Sequence, residues 1–111
     1  MAALTPIIVS RAGVEMVMQA GNAGGHTFPN SDDRTIFIAD NAGATPVVYT
    51  ISWGPNSSID GATPSPKTVS VPAGKRYVFG PYPTQYYNDS NGAVTITPAT
   101  ATSQTVCALK I

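Results

Sequence analysis

The chain has very few of the residues that cross-link a small protein or bind metals. Its 111 residues include one cysteine, one histidine and only 11% charged side chains. A single cysteine excludes an intrachain disulfide, so packing must supply the stability. One histidine and one cysteine also fall short of the four ligands that a structural zinc ion takes.

Charge of either sign is scarce as well. Six Lys and Arg balance six Asp and Glu, which leaves a formal net charge of zero. Clustered cations supply most of the affinity for nucleic acid and for anionic membranes, so we expect neither as a partner. A small protein near zero net charge tends to associate, which favours a protein that functions as part of an assembly.

Long apolar runs are absent too. No stretch approaches the roughly 18 apolar residues of a membrane-spanning helix. The opening "MAALTPIIVSRAGVE" lacks the basic start and the apolar core of a secretory signal. We therefore expect a protein that does not pass through the general secretory route.

What the chain does have is strand patterning, broken by ten Gly and ten Pro. Val47, Tyr49, Ile51 and Trp53 share one face of "VVYTISW", which is the clearest strand. The other predicted strands are "PIIVS", "VEMVMQ", "TIFIAD" (covered on both faces), "KTVSV", "KRYVFG", "AVTITP" and "TVCALKI". Short strands with frequent turns predict an all-β fold, either a jelly-roll-like β-sandwich or a partly open barrel of about eight strands without a substantial helix. We expect one domain over residues 1–111, with residues 1–13 as an N-terminal arm or edge strand.

Two turns stand out between the strands. Pro72 and Gly74 predict a tight turn that pairs its neighbours. Asn91 and Gly92 are the strongest short hairpin signal, because both residues tolerate positive φ. Two longer loops, "GNAGGHTFPNSDD" and "WGPNSSIDGATPSPK", have the length at which loops are often functional.

Catalytic chemistry finds little support in the sequence. His26 would have to act as a base beside Asp32, Asp33 or Asp40, and no nucleophile motif accompanies it. We interpret it as a loop histidine with a structural or solvent-facing role. Cys107 lies inside a strand pattern, where it is expected to be a core or near-core residue. We predict that the protein is not an enzyme.

Two oxygen-rich turns resemble parts of a calcium site, but the sequence does not support metal binding there. "NDSNG" and "PNSDD" offer several oxygen donors each. A calcium ion takes roughly six or more, usually with a distal carboxylate, whereas Asx-rich turns need no ion. We expect no metal and no cofactor.

The aromatic residues raise the question of a binding surface. Tyr82, Tyr86 and Tyr87 crowd into "GPYPTQYYNDSNG". With Trp53 and Tyr77 they suit either sugar rings or a protein interface, and Tyr82 also suits a cap over the end of the sandwich. Strand alternation favours the core for Trp53 and Tyr77. For Tyr86 and Tyr87, packing and partner contact remain equally open.

Two blocks of the chain resemble small proteins encoded among tailed-phage head genes. In that family an "F-P-N" loop with an acidic-Arg pair leads into a strand. A "V-P-A-G" turn, "G-P-(F/Y)-P" and "Y-N-D" follow later. The matching residues are Phe28, Pro29, Asn30, Asp33 and Arg34, then Val71–Gly74, Gly80–Pro83 and Tyr87–Asp89. With the closing "VCALKI", the resemblance covers about half of the chain.

The resemblance implies a capsid decoration protein, also called a cement protein. Such a β-sandwich is assembled in the host cytoplasm, sits on the capsid exterior and bridges neighbouring major capsid subunits, commonly as a homotrimer. The alternative is a carbohydrate-binding β-sandwich module of a phage head or tail appendage. We predict a protein interface, with Tyr86 or Tyr87 presented at one end of the sandwich. Its candidate residues are Phe28, Pro29, Arg34, Tyr82, Tyr86 and Tyr87.

Overall fold

The strands form two sheets packed face to face. The computed structural model describes residues 2–31, 33–54 and 66–111. In chain order its elements are β1 (Ala2–Ala3), β2 (Ile7–Ile8), β3 (Gln19–Ala20), β4 (His26–Pro29), β5 (Thr35–Asn41), β6 (Val47–Ile51), β7 (Lys67–Val71), β8 (Arg76–Phe79), α1 (Thr84–Tyr87), β9 (Ala93–Pro98) and β10 (Gln104–Lys110). The all-β prediction is confirmed, with α1 as the one short helical turn in these ranges.

The chain crosses repeatedly between the two sheets. The first sheet has the order β1-β4-β9-β6-β7, and the second has the order β2-β10-β5-β8, with β3 beside β10. From β4 onward every connection except the β6–β7 hairpin passes from one sheet to the other. The long pairs are antiparallel, and the parallel pairs β1–β4 and β2–β10 involve two residues each at the edges. This is a β-sandwich.

Alternating side chains fill the space between the sheets. Val47, Tyr49 and Ile51 are buried on β6, as predicted. Phe37 is central, since its ring packs edge-on against Phe79 at 5.5 Å. Fully burying one such side chain contributes roughly 1.5–3 kcal/mol, so this cluster supplies most of the drive to fold.

The second sheet is also covered on its outer side. On β5 and β10, Ile38 and Cys107 are neighbours across the ladder and are buried, although they point away from the inner face that holds Phe37 and Ala108. The predictions of a two-sided "TIFIAD" strand and of a buried Cys107 are therefore confirmed. Burial raises the pKa of the Cys107 thiol.

A buried polar network closes one end of the sandwich, which we call the polar end. The Tyr49 hydroxyl donates to Gln104 Oε1 at 2.7 Å, and Gln104 Nε2 donates to Asn41 Oδ1 at 2.7 Å. Asn41 Nδ2 donates in turn to the carbonyls of Thr45 and Val71. Burial raises the pKa of Tyr49 to about 12.

Both predicted turns exist, but neither pairs its flanking strands. Gly74 and Gly92 have φ of +71° and +74°, a region that glycine enters without steric penalty. The Pro72–Gly74 turn joins β7 and β8, which belong to different sheets. Gly92 leads from α1 into β9, whose partners are β4 and β6. The hairpin predictions are therefore wrong at both places.

The strand predicted for "VEMVMQ" is also wrong over most of its length. Only Gln19 and Ala20 pair with β10, and residues 9–18 join no sheet. Ile7 and Ile8 already occupy the edge of β10 beside Leu109 and Lys110, so a longer strand finds no free ladder there. Most of the predicted "WGPNSSIDGATPSPK" loop lies outside the described residues.

The described ranges hold no helix of the length and apolar character that a membrane crossing requires.

Candidate protein-binding surface

Val71–Gly74 of the second block lies at the polar end, but the rest of the two blocks that carry the family resemblance meets at the opposite end of the sandwich. We call this the tyrosine end and define it as residues 28–31, 33–34, 52–54 and 80–92. Strand β5 starts beside it at Thr35 and ends at the polar end with Asn41. The tyrosine end therefore brings together three parts of the chain: residues that end β4 and lead into β5, residues that follow β6, and residues between β8 and β9.

Asn30 links the blocks from a fully buried position. Its Nδ2 donates to the Tyr82 carbonyl at 2.8 Å and to Asn88 Oδ1 at 3.0 Å. Asn88 Nδ2 donates back to the Asn30 carbonyl at 2.5 Å. The pair thus fixes both ends of the tyrosine-rich segment to the end of β4.

Asp33 makes a second link between the blocks. Its φ of +60° places it in the left-handed region, where Asp is tolerated better than most residues. From there its Oδ1 accepts a hydrogen bond from the Thr84 N–H at 2.7 Å. That N–H begins α1 and has no partner inside so short a helix, so the carboxylate satisfies it.

Three aromatic rings stack over this framework. The Trp53 and Tyr87 rings are nearly parallel at 4.5 Å, and Tyr82 tilts against Tyr87 at 4.8 Å. The Gly54 N–H donates to the Tyr86 carbonyl at 2.8 Å, which ties the end of β6 to α1. A side chain at Gly54 would collide with the Asn88 carbonyl, so glycine permits this close approach.

The six predicted interface residues divide into two groups. Phe28 and Tyr82 lie in the core, at 1% and 7% exposure, and burial raises the pKa of Tyr82. Both rings belong to the buried core cluster, where Phe28 stacks on Phe37 and Tyr82 packs against Tyr87, so core packing accounts for these two residues. Pro29, Arg34 and Tyr86 are exposed, and Tyr87 is half-buried against the core.

Tyr86 is the large ring that this end offers to solvent, at 40% exposure. Its neighbour Tyr87 is held between Trp53 and Tyr82, so packing accounts for Tyr87 and leaves Tyr86 for contact. The core prediction is wrong for Trp53, which belongs to this stack outside the core cluster. It is also wrong for Tyr77, which is 37% exposed on the edge strand β8.

The residues weighed for catalysis do not converge. His26 is not in a loop but in β4, fully buried, and its Nε2 accepts the Asn22 N–H at 3.0 Å. Burial lowers its pKa, and its Nδ1 has no hydrogen-bond partner among the described residues. Asp33 is bonded to Thr84, Asp40 pairs with Arg76 at 3.0 Å, and Asp32 lies outside the described residues.

Metal chemistry finds no support in the same ranges. Across residues 2–31, 33–54 and 66–111, no three His, Cys, Asp or Glu side chains come together to hold a metal ion. Asp89 Oδ1 in "NDSNG" instead accepts the N–H groups of Asn91 and Ala93. That carboxylate therefore stabilises the turn, as in an Asx motif.

Stacking within the tyrosine end covers aromatic faces that a sugar ring would use. A sugar ring needs a free aromatic face, whereas the parallel faces of Trp53 and Tyr87 lie against each other. Tyr86 stands edge-on to Trp53, with an interplanar angle of 80°. A single exposed tyrosine on a rigid base is typical of an interface anchor.

Comparison with known proteins adds no relative, since no protein-family model, curated protein or solved structure matches the chain.

Proposed function

We propose that the protein is a virion structural protein. It binds the outside of a tailed-phage capsid as a homotrimer and stabilises the shell by bridging major capsid subunits. It works by binding alone, without catalysis or cofactor. The proposal starts from the resemblance of the two sequence blocks to capsid decoration proteins.

One observation supports it above the others. The residues that carry the resemblance lie far apart in the chain, yet Asn30 and Asp33 of the first block hold the Tyr82–Asn88 segment of the second. Together they build a rigid base beneath Tyr86. A base fixed before binding loses little conformational entropy when a partner docks, which favours affinity from a small contact. Repetition over many copies on a shell strengthens modest contacts further.

The test mixes the purified protein with expanded, undecorated heads assembled from the major capsid protein of the same genome. We expect saturable co-sedimentation and a higher temperature of shell disassembly for decorated heads. Tyr86→Ala should weaken binding about tenfold or more, because truncating a hot-spot residue costs about 2 kcal/mol or more and each 1.4 kcal/mol is a factor of about ten.

Val48→Ala is the matched control. Val48 is 41% exposed, like Tyr86, but lies on β6, away from the tyrosine end. This variant should bind as the wild type does. Wild-type protein that fails to bind heads would overturn the capsid function. Equal binding by Tyr86→Ala and wild type would instead show that the tyrosine end does not contact the capsid.

A further inference from the structure

Residues 9–18 form an exposed apolar segment that belongs to no sheet, and we call it the apolar loop. Val9, Val14, Met16 and Val17 within it are all more than a third exposed. The loop leaves β10 after Ile8 and returns to the same edge at Gln19, so both of its ends are fixed. Exposed apolar clusters of this kind mark interaction sites in soluble proteins.

The sequence of the loop suits a strand better than the conformation it has. Val14, Met16 and Met18 repeat every two residues, the period of a strand with one buried face. In the single chain residues 14–18 have no ladder partner, and Val14 and Met16 are exposed while Met18 is half-buried. A strand edge on another molecule would supply a ladder partner and cover the exposed side chains.

The opposite edge of the same sheet offers such a surface. Strand β8 pairs with β5 on one side and, within the described residues, with no strand on the other. Val78 on this edge is 64% exposed and Tyr77 is 37% exposed. An open cleft of about 340 Å³ lies beside it, with Val69 and Phe79 in its lining. Unpaired edges with apolar side chains are sites of strand addition.

The charges of the two surfaces favour this pairing over a contact between two identical edges. The apolar loop carries Arg11 and Glu15 and so has no net charge. Arg76 at the start of β8 is paired with Asp40, which leaves the exposed Lys75 as the positive charge of this edge. Two edges would bring like charges together, whereas the uncharged loop meets the edge without repulsion.

We infer that the apolar loop of one copy binds the β8 edge of a second copy. The inference rests on the self-association in the proposed function and is independent of capsid binding. Because loop and edge lie on opposite sides of one sheet, the contact is head-to-tail. Repeated around an axis it closes into a ring in which every loop is covered.

Two variants separate the partners of this contact. The loop variant combines Val14→Ser, Met16→Ser and Val17→Ser, and the edge variant is Val78→Lys. All four side chains are exposed in the single chain, so the fold should persist. Val48→Lys adds the same charge at an exposed site on the other sheet and serves as the control. Size-exclusion chromatography with light scattering gives the mass of each protein, against 11.5 kDa for one chain.

We expect an oligomer for wild type and Val48→Lys, and a monomer for each of the two test variants. An equal mixture of the test variants should give a dimer, since one intact loop then meets one intact edge. A wild type that stays monomeric at every concentration would overturn the inference. So would a test variant that still associates, or a mixture that stays monomeric.

Hydrogen exchange provides a measurement without substitutions. On raising the concentration of wild-type protein, protection should increase in residues 14–18 and in β8. Protection confined to the tyrosine end would contradict the inference. An oligomer with these properties that does not bind heads would leave the inference intact and refute the capsid function alone.

Discussion

Replacing Asn30 by alanine tests how the tyrosine end is held. The substitution leaves the Tyr82 carbonyl and Asn88 Oδ1 without their donor. A buried acceptor that loses its partner costs about 1–3 kcal/mol. The Tyr82 carbonyl is buried and should incur most of this penalty, whereas Asn88 is half-buried and can turn partly to water. We expect a total loss of about 2–4 kcal/mol, within the roughly 5–15 kcal/mol stability of such domains, so the variant still folds.

A double-mutant cycle with Asn88→Ala isolates the bond between the two side chains. Asn88→Ala removes the acceptor of one Asn30 hydrogen and the donor to the Asn30 carbonyl. Because the two residues contact each other directly, their effects should not add. The double variant should be more stable than the sum of the single losses predicts by about 0.5–3 kcal/mol.

The measurement is urea unfolding followed by two probes. Trp53 is the only tryptophan, and its ring stacks on Tyr87, so its fluorescence reports the tyrosine end. Far-UV circular dichroism reports the sheets. The two transitions should coincide at a lower midpoint with an unchanged slope. A loss below about 0.5 kcal/mol for Asn30→Ala, the usual range for surface changes, would refute the argument that Asn30 holds this end.

Three further predictions follow from burial. Burial lowers the pKa of His26 from 6.5, so the contribution of this residue to stability should be complete above pH 6.5. Below pH 6.5 the unfolded chain takes up a proton and stability should fall by at most about 1.4 kcal/mol per pH unit. Urea midpoints measure this, and an equal dependence of stability on pH in His26→Gln would contradict it. Burial raises the pKa of Tyr49 to about 12 and that of Tyr82 further, so stability should fall as pH rises above the ordinary value of 10.0. While circular dichroism stays native near pH 11, absorbance at 295 nm should show no more than three ionised tyrosines, the five in the chain less these two; ionisation of all five would contradict the burial. Gly54→Ala forces a methyl group onto the Asn88 carbonyl and should cost about 1–3 kcal/mol of stability, with a shift in tryptophan emission. An unchanged urea midpoint and unchanged emission would show that the loop adapts freely.

The sandwich could be predicted because its long strands carry their pattern locally. On β6 and β9 every second residue is buried, and this alternation is visible in "VVYTI" and "AVTITP". Pairing is decided by distant partners, which is why the turns at Gly74 and Gly92 were foreseen and their strand partners were not. Strand β4 was missed because its four residues, "HTFP", are too few for a period to emerge.

The tyrosine end was predicted only in part. An exposed tyrosine was expected at one end of the sandwich, and Tyr86 is there. The sequence does not distinguish it from Tyr87, because the difference lies in the stack with Trp53. Asn30 and Asn88 belong to the two motifs, but the sequence does not predict that they hold each other, since a bond across 58 positions leaves no local pattern.

Amide side chains hold both ends of the sandwich, in a chain with few cysteine and charged residues. At the polar end Asn41 and Gln104 bond buried groups, and at the tyrosine end Asn30 and Asn88 do the same. An amide side chain both donates and accepts, so a few of them can fix loops without a disulfide or an ion pair.

The apolar loop is built differently, because residues 9–18 include no Asn, Gln or Asp. Ordering it on a partner must therefore cost more conformational entropy than docking the tyrosine end. Apolar burial has to offset that cost, and it carries a negative heat-capacity change. Association of copies through the loop should accordingly show a larger heat-capacity change per bound chain than head binding by an already assembled ring, and calorimetry of the two steps compares them directly. Equal heat-capacity changes for self-association and for head binding would indicate that the loop becomes ordered when the protein binds the head.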